Sequence, residues 1–159
     1  MLHDPAFQKE IGRTVKIINK YDVPYVAGYS KDSKDIYIDR HMNVDFNGTD
    51  ITKYLLVHER VEKALIDVFG LRYQEAHHIA LAVEHDAVVG DGLNWRAYDK
   101  FVDKYVKKLD HENLKLSPPN LDLTPYEDEK DFSKFVKKRS KQNDWLDRMF
   151  CLWNRIQVD

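Results

Sequence analysis

The feature that most constrains this chain is a pair of helical repeats separated by only three residues, Gly70-Leu71-Arg72. Apolar residues recur at helical spacing over residues 51–69 and again over residues 73–89, which is the pattern of two amphipathic helices. So short a connection makes the two helices antiparallel neighbours. We therefore expect their inner faces to meet.

The rest of the chain predicts a mainly helical α+β fold with a small antiparallel sheet. The length of 159 residues suits one domain over residues 1–159. Prolines and polar residues at 117–126 predict an extended surface loop. The other predicted elements are an N-terminal helix over 5–21, a β-hairpin over 23–40, and C-terminal helices over 95–109 and 131–156.

Composition narrows the functional classes. The chain has 25 Lys+Arg against 27 Asp+Glu, a net charge of −2, which disfavours a nucleic-acid partner. No apolar run approaches the ~20 residues of a membrane-spanning helix, and the first residues lack the pattern of a secretory signal. We expect a cytoplasmic protein with no membrane partner. The single cysteine, Cys151, excludes a Cys-rich zinc site, so a metal site would use nitrogen and oxygen ligands.

Four ionisable residues break the apolar pattern of the helix pair. With residues placed 100° apart, His58 and Glu62 fall inside the apolar arc of the first helix. His77 and Glu84 fall inside the arc of the second helix, and Glu59 lies at the edge of the first. The opposite side of the first helix, which we expect to be solvated, carries Arg60, Lys63 and Asp67.

Buried carboxylates and imidazoles need partners, because an unpaired buried ion costs several kcal/mol. One solution is zinc or another divalent transition metal held by His58, Glu62 and His77, since residues four apart on a helix converge. Glu84 would then be a fourth ligand or would orient His77. The other solution is a metal-free His–Glu network that fixes the packing of the two helices.

The segment Val57-His58-Glu59-Arg60-Val61-Glu62 resembles the active-site helix of the zincin metallopeptidases, whose signature is His-Glu-x-x-His. The predicted hairpin before the helix is also similar to the zincin plan. The resemblance implies a zinc-dependent hydrolase with a peptide substrate, with His58 as metal ligand and Glu59 as general base. Position 62 departs from the signature, with Glu in place of the second His; a further ligand would come from the next helix, at His77 or Glu84.

The region 20–126 also resembles a family of small uncharacterised bacterial and phage-associated proteins. This second resemblance agrees with the choice of residues but implies no reaction. It rests on Ile36-Tyr37-Ile38-Asp39-Arg40, Val57-His58-Glu59-x-x-Glu62, Tyr73-x-x-Ala76-His77-x-Ile79-Ala80-x-x-x-Glu84 and Leu121-Asp122-Leu123-x-Pro125-Tyr126.

Other functions compete with the hydrolase. A non-enzymatic binding module would use the His/Glu cluster as a structural metal site or a buried polar network. A metal phosphohydrolase would use His85-Asp86, but a helical wheel places Asp86 on the side opposite the apolar arc. A di-iron site is disfavoured because Glu75 faces solvent. An enzyme, unlike a structural site, needs a free carboxylate such as Glu59 beside an open coordination position.

The C-terminal region offers weaker signals. The basic cluster Lys137-Lys138-Arg139-Ser140-Lys141 is more typical of a solvated face than of a nucleic-acid contact. Cys151 fits a buried structural thiol. A homodimer could form through an aromatic stripe on the last helix, although packing against the domain's own core is favoured. The stripe consists of Trp145, Met149, Trp153 and Ile156.

Overall fold

The computed structural model describes residues 3–110 and 115–127. The predicted class, a mainly helical α+β fold with a small sheet, is confirmed. Within the described ranges, none of the helices is long and apolar enough to cross a membrane. The elements are α1 Pro5–Ile11, β1 Lys16–Ile18, β2 Ala27–Tyr29, β3 Asp35–Ile38, β4 Asp45–Phe46, β5 Thr49–Asp50, α2 Thr52–Phe69, α3 Tyr73–Gly90, α4 Trp95–Asp110 and α5 Thr124–Glu127.

The N-terminal helix is shorter than predicted. Asp4 caps its start by accepting hydrogen bonds from the amides of Ala6 and Phe7. The helix ends at Ile11, not near residue 21, and Gly12 follows it. Lys16–Ile18 forms β1 instead, paired in parallel with β3. The prediction was wrong because so short a β-branched run fits helix and strand alike, and pairing with a later strand decides between them.

Three strands form a sheet in the order β1-β3-β2, which is mixed and not purely antiparallel as predicted, because β1 pairs in parallel with β3. The predicted hairpin over 23–40 corresponds to β2 and β3, which pair antiparallel with Gly28 opposite Tyr37. The strand β2 is shorter than that range suggested, beginning only at Ala27, and all of its residues are buried. It is one of the two edge strands of the sheet, and it packs against α2.

A second hairpin, β4 and β5, was not predicted. Asn47 and Gly48 connect the two strands with positive φ angles of 52° and 84°. Such angles at both central positions define the type I′ turn, which Asn-Gly favours. This hairpin leads directly into α2 and contributes Phe46 to the core.

The helix pair follows the prediction closely, with α2 ending at Phe69 and α3 beginning at Tyr73. Gly70 adopts a left-handed conformation, with φ at 63°, and its amide donates to the Ile66 carbonyl. This is the usual glycine stop of a helix. Ala76 and Ala80 on α3 are fully buried, and such small side chains allow the two helices to approach closely.

The helix α4 lies against the other end of the pair. Its Tyr98 packs edge-on against Tyr54 and Phe46, with ring centroids 5.6 and 6.0 Å apart. At the opposite end of α2, Phe7 from α1 packs against Phe69 at 5.6 Å. Apolar contacts therefore fix α2 at both ends, and its middle turns carry the ionisable residues.

The segment predicted as an extended loop over 117–126 contains a bridge and a helical turn. Leu121 forms a β-bridge with Ser30, and the Asp122 amide donates to the Tyr29 carbonyl at 2.9 Å. The Asp122 carboxylate then accepts from the Thr124 amide and starts α5, where Pro125 fits the first turn. The predicted helix over 131–156, with its aromatic stripe, the basic cluster and Cys151, lies outside the described residues.

Candidate metal centre

Three of the predicted ligands converge at one point between α2 and α3. The atoms are Nε2 of His58, Oε2 of Glu62 and Nδ1 of His77. His58 and Glu62 lie one helical turn apart on α2, and His77 faces them from α3. His58 and Glu62 are buried, whereas the His77 side chain is 38% exposed.

The spacing of these atoms matches a metal site. The nitrogens of His58 and His77 are 3.1 Å apart, and the Glu62 oxygen lies 3.4 Å from the first and 2.9 Å from the second. A tetrahedral zinc ion with bonds of about 2.0–2.2 Å separates its ligand atoms by about 3.3 Å. The three side chains can therefore hold one such ion with little movement.

Glu84 stands behind His58. Its Oε2 lies 2.7 Å from His58 Nδ1, which must donate because a carboxylate only accepts. Tyr98 donates its hydroxyl proton to the other Glu84 oxygen. This arrangement keeps a proton on Nδ1 of His58 and turns Nε2 toward His77 and Glu62, so that Nε2 is the nitrogen that would bind a metal once its own proton is lost. A carboxylate behind a histidine is the usual support of a histidine metal ligand.

The position of Glu84 differs from the expectation that it would ligate the metal or orient His77. Glu84 does not belong to the converging group, and its hydrogen bond goes to His58. His77 and Glu84 are two turns apart on one helix, about 10 Å along its axis. The His58 ring, which extends from α2, contacts both residues. Glu84 therefore orients His58, and not His77 as the helical wheel suggested.

The electrostatics of the cluster follow from burial and pairing. Burial alone would lower the pKa of His58, but hydrogen bonds to Glu62 and Glu84 outweigh it and raise that pKa well above 6.5. Burial would raise the pKa of Glu62, but His58 and His77 lower it below its usual value. Without a metal, the contacts with Glu62 and Glu84 therefore favour the protonated form of His58.

Glu59 lies in a different environment. It is 9% exposed, and among the described residues it makes no hydrogen bond or ion pair of its own. Burial and the neighbouring charge of Glu62 raise its pKa to about 8. Glu59 is close to Tyr29, whose pKa rises through burial and through the charges of Glu62 and Glu59. A carboxyl group without a partner beside a ligand cluster is available to exchange protons.

The cluster lies in the wall of a pocket of about 340 Å³. His58, Glu59, Glu62, His77 and Glu84 all line this pocket. Its other walls come from β2, from the first turn of α3, from α4 and from the segment around Asp122. The candidate ligands are therefore accessible from a cavity of the size that small ligands occupy.

Lys63 corrects the expectation that its side of α2 is solvated. It is 8% exposed, and its Nζ lies 2.8 Å from Asp122 and 3.1 Å from Asp67. It also lies 5.2 Å above the Tyr29 ring. The segment around Asp122 covers this side of the helix, so the lysine stem is buried and its charge is paired.

Sequence reasoning also missed Tyr98 and Tyr29. Tyr98 lies in the apolar repeat of the 95–109 helix, which by itself predicts only a packing role, yet its hydroxyl reaches Glu84. The only available signal was general, since a buried tyrosine hydroxyl usually finds a polar partner. Tyr29 is 2% exposed, and its hydroxyl lacks a hydrogen bond within the described part of the chain.

The competing His85-Asp86 pair lies apart from the cluster. Its two side chains are 44% and 46% exposed and contact each other at 3.0 Å. His85 also packs against the Trp95 ring. Neither residue belongs to the converging group.

Comparisons with known protein families, with curated proteins and with solved structures found no match to this chain. The geometry of the His/Glu cluster therefore carries the functional interpretation.

Proposed function

We propose that the protein is a metal-dependent hydrolase that holds zinc, or another divalent transition metal, with His58, Glu62 and His77. The observation that carries this proposal is the convergence of three ligand atoms, 2.9–3.4 Å apart, in the wall of a pocket. Its closest chemical analogy is the zincin peptidase or a degenerate relative.

Counted over the residues that the structure describes, the ligands favour a catalytic site over a structural one. Structural zinc sites are closed by four protein ligands, whereas catalytic sites have three and leave a position for water or substrate. Here Glu84 is engaged with His58 and Tyr98, and the half-exposed His77 lies on the pocket side. A bound metal of this kind would supply Lewis-acid chemistry and lower the pKa of water.

Glu59 is the residue we assign as general base. It is adjacent to the ligand His58, lines the pocket, and has a pKa of about 8. A base works best when its pKa is near the working pH, and a nearby cation would favour its charged form. Glu59 would accept a proton from the attacking water at its carboxylate and later return that proton to the leaving group.

A metal-free polar network is the second candidate, and one observation favours it. His58 pairs with Glu84 at 2.7 Å and His77 pairs with Glu62 at 2.9 Å, so the buried groups find partners without an ion. In this case the cluster would stabilise the packing of α2 on α3, and the protein would act through its surface as a binding module.

Metal analysis separates the two candidates. The full chain purified without chelators should contain about one equivalent of a transition metal, or take it up on reconstitution. His58→Ala and His77→Ala should abolish uptake, whereas the matched control His85→Ala should retain it. Less than about a tenth of an equivalent in the reconstituted wild type would overturn the metal proposal.

Glu59→Gln then tests the hydrolase itself. The variant should bind metal like the wild type and lose hydrolysis of a peptide mixture by at least about 100-fold, the usual contribution of a general base. Hydrolysis that Glu59→Gln leaves unchanged would remove Glu59 from the mechanism. Metal binding without any hydrolysis by the wild type would favour a structural site.

A further inference from the structure

The charges that line the pocket are all of one sign apart from the histidines. Among the described residues no lysine or arginine lines it, while six carboxylates do. An anionic group placed beside α4, away from the proposed metal, would therefore meet repulsion. The six are Glu59, Glu62, Glu84, Asp99, Asp103 and Asp122.

Most of these carboxylates already have a cationic partner, whereas the two on α4 are, among the described residues, either unpaired or paired only at the surface. Asp122 is paired with the buried Lys63. Asp103 contacts Lys107 at 2.6 Å in a pair whose side chains are 47% and 74% exposed, and such surface pairs are weak. Asp99 is exposed and makes no ion pair within the described part of the chain. Over the ranges that the structure describes, the rim along α4 therefore offers one unpaired carboxylate, Asp99, and a second, Asp103, that is held only by a surface pair.

The same helix also gives the pocket its apolar wall. Residues at positions 95, 98, 102 and 106 of α4 line the pocket and form a row of Trp, Tyr, Val and Val. Asp99 and Asp103 lie beside this row, one turn apart, about 6 Å. A ligand along α4 therefore meets an apolar surface on one side and two carboxylates at the rim.

We propose that the pocket selects peptide segments that combine an apolar side chain with a nearby lysine or arginine. The apolar group would pack against the α4 row beside Trp95, and the basic group would contact Asp99 and Asp103 at the rim. At about 340 Å³ the pocket suits a short segment of chain. This inference rests on the proposed function for the reaction, but the charge preference itself is a property of binding.

Binding can be tested without turnover. The probes are three fluorescent peptides that differ only beside a central leucine, where they carry Lys, Gln or Glu. They are titrated into full-length, zinc-reconstituted Glu59→Gln protein at low salt. We expect the Lys peptide to bind at least tenfold more tightly than the Glu peptide, with the preference falling as salt screens the charges.

The double substitution Asp99→Asn with Asp103→Asn should reduce that preference about tenfold and leave the zinc content unchanged. The control Asp86→Asn removes an exposed carboxylate outside the pocket and should leave the preference unchanged. Equal binding of the three peptides, tighter binding of the Glu peptide, or a preference that the double substitution does not alter would each overturn the inference.

Cleavage of the same peptides by the wild type distinguishes the two proposals. Selective binding of the Lys peptide without cleavage would sustain the charge preference and refute the hydrolase. Cleavage of all three at equal rates would sustain the hydrolase and refute the charge preference.

Discussion

The buried carboxyl group of Glu59 should lower the free energy of unfolding. Replacing Glu59 should show how large this loss is. The carboxyl is buried without an ion-pair partner among the described residues, and its pKa in the folded chain is about 8 against an ordinary value of 4.5. The folded state therefore retains a proton that the unfolded state releases. By linkage, stability is lost as the pH rises from 4.5 toward 8. Glu59→Gln removes the titration while keeping the shape of the side chain.

The size of the effect follows from these two pKa values. Each tenfold difference in proton affinity between the folded and unfolded states corresponds to about 1.4 kcal/mol. The metal-free Glu59→Gln variant should exceed the wild type in free energy of unfolding by about 1 kcal/mol at pH 5, about 3 kcal/mol at pH 7 and about 4 kcal/mol at pH 8. The diagnostic feature is that this difference grows with pH. Any contribution of the new amide that does not depend on pH is the same at all three pH values and cancels when they are compared.

Urea unfolding of chelator-treated protein at the three pH values measures this difference. Asp99→Asn is the matched control, because Asp99 is exposed and its replacement should change stability by less than about 0.5 kcal/mol at every pH. A difference between Glu59→Gln and wild type that does not grow with pH would show that Glu59 is ionised and solvated in the folded chain, and would refute the reasoning.

Three further outcomes are expected. Glu84→Gln should weaken zinc affinity by about 10–100-fold without abolishing binding, because His58 loses the carboxylate that orients it. Competition with a chromophoric chelator measures this affinity. An unchanged affinity would contradict the role of Glu84. Burial lowers the pKa of His58, but Glu62 and Glu84 raise it well above 6.5. Zinc must therefore displace a proton, and zinc affinity should rise about tenfold per pH unit from pH 6 to 7. An affinity that does not change with pH would argue against a protonated His58. Leu65→Ala, at a site only 1% exposed, should cost about 2–5 kcal/mol in urea unfolding, and a loss below about 1 kcal/mol would mean that this end of the core is loosely packed.

The site residues were accessible to sequence reasoning because long helices have a dependable period. The wheel directed His58, Glu62 and Glu84 inward, and all three are buried. The wheel could not show which residues form hydrogen bonds across the helix pair, since that depends on how α2 and α3 are offset along their axes. Glu84 therefore supports His58 across the helix pair, and not His77 on its own helix.

Long-range contacts explain the remaining differences from the sequence-based expectations. Lys63 looks like a surface residue on α2, and it is buried only because Asp122, 59 positions later, lies over it. The strand β1 likewise depends on pairing with β3. The hairpin at Asn47-Gly48 is different, because its turn signal is local, and the sequence could have predicted it.

The segment around Leu121 also covers part of an edge of the sheet. The strand β2 is at the edge of its sheet, and an uncovered edge offers backbone groups to other chains and promotes aggregation. The bridge between Ser30 and Leu121 and the bond from the Asp122 amide to Tyr29 occupy part of this edge. Lys63 holds the same segment in place through the Asp122 carboxylate. The segment that forms one wall of the pocket thus also occupies backbone groups of β2 that would otherwise be open to pairing with another strand.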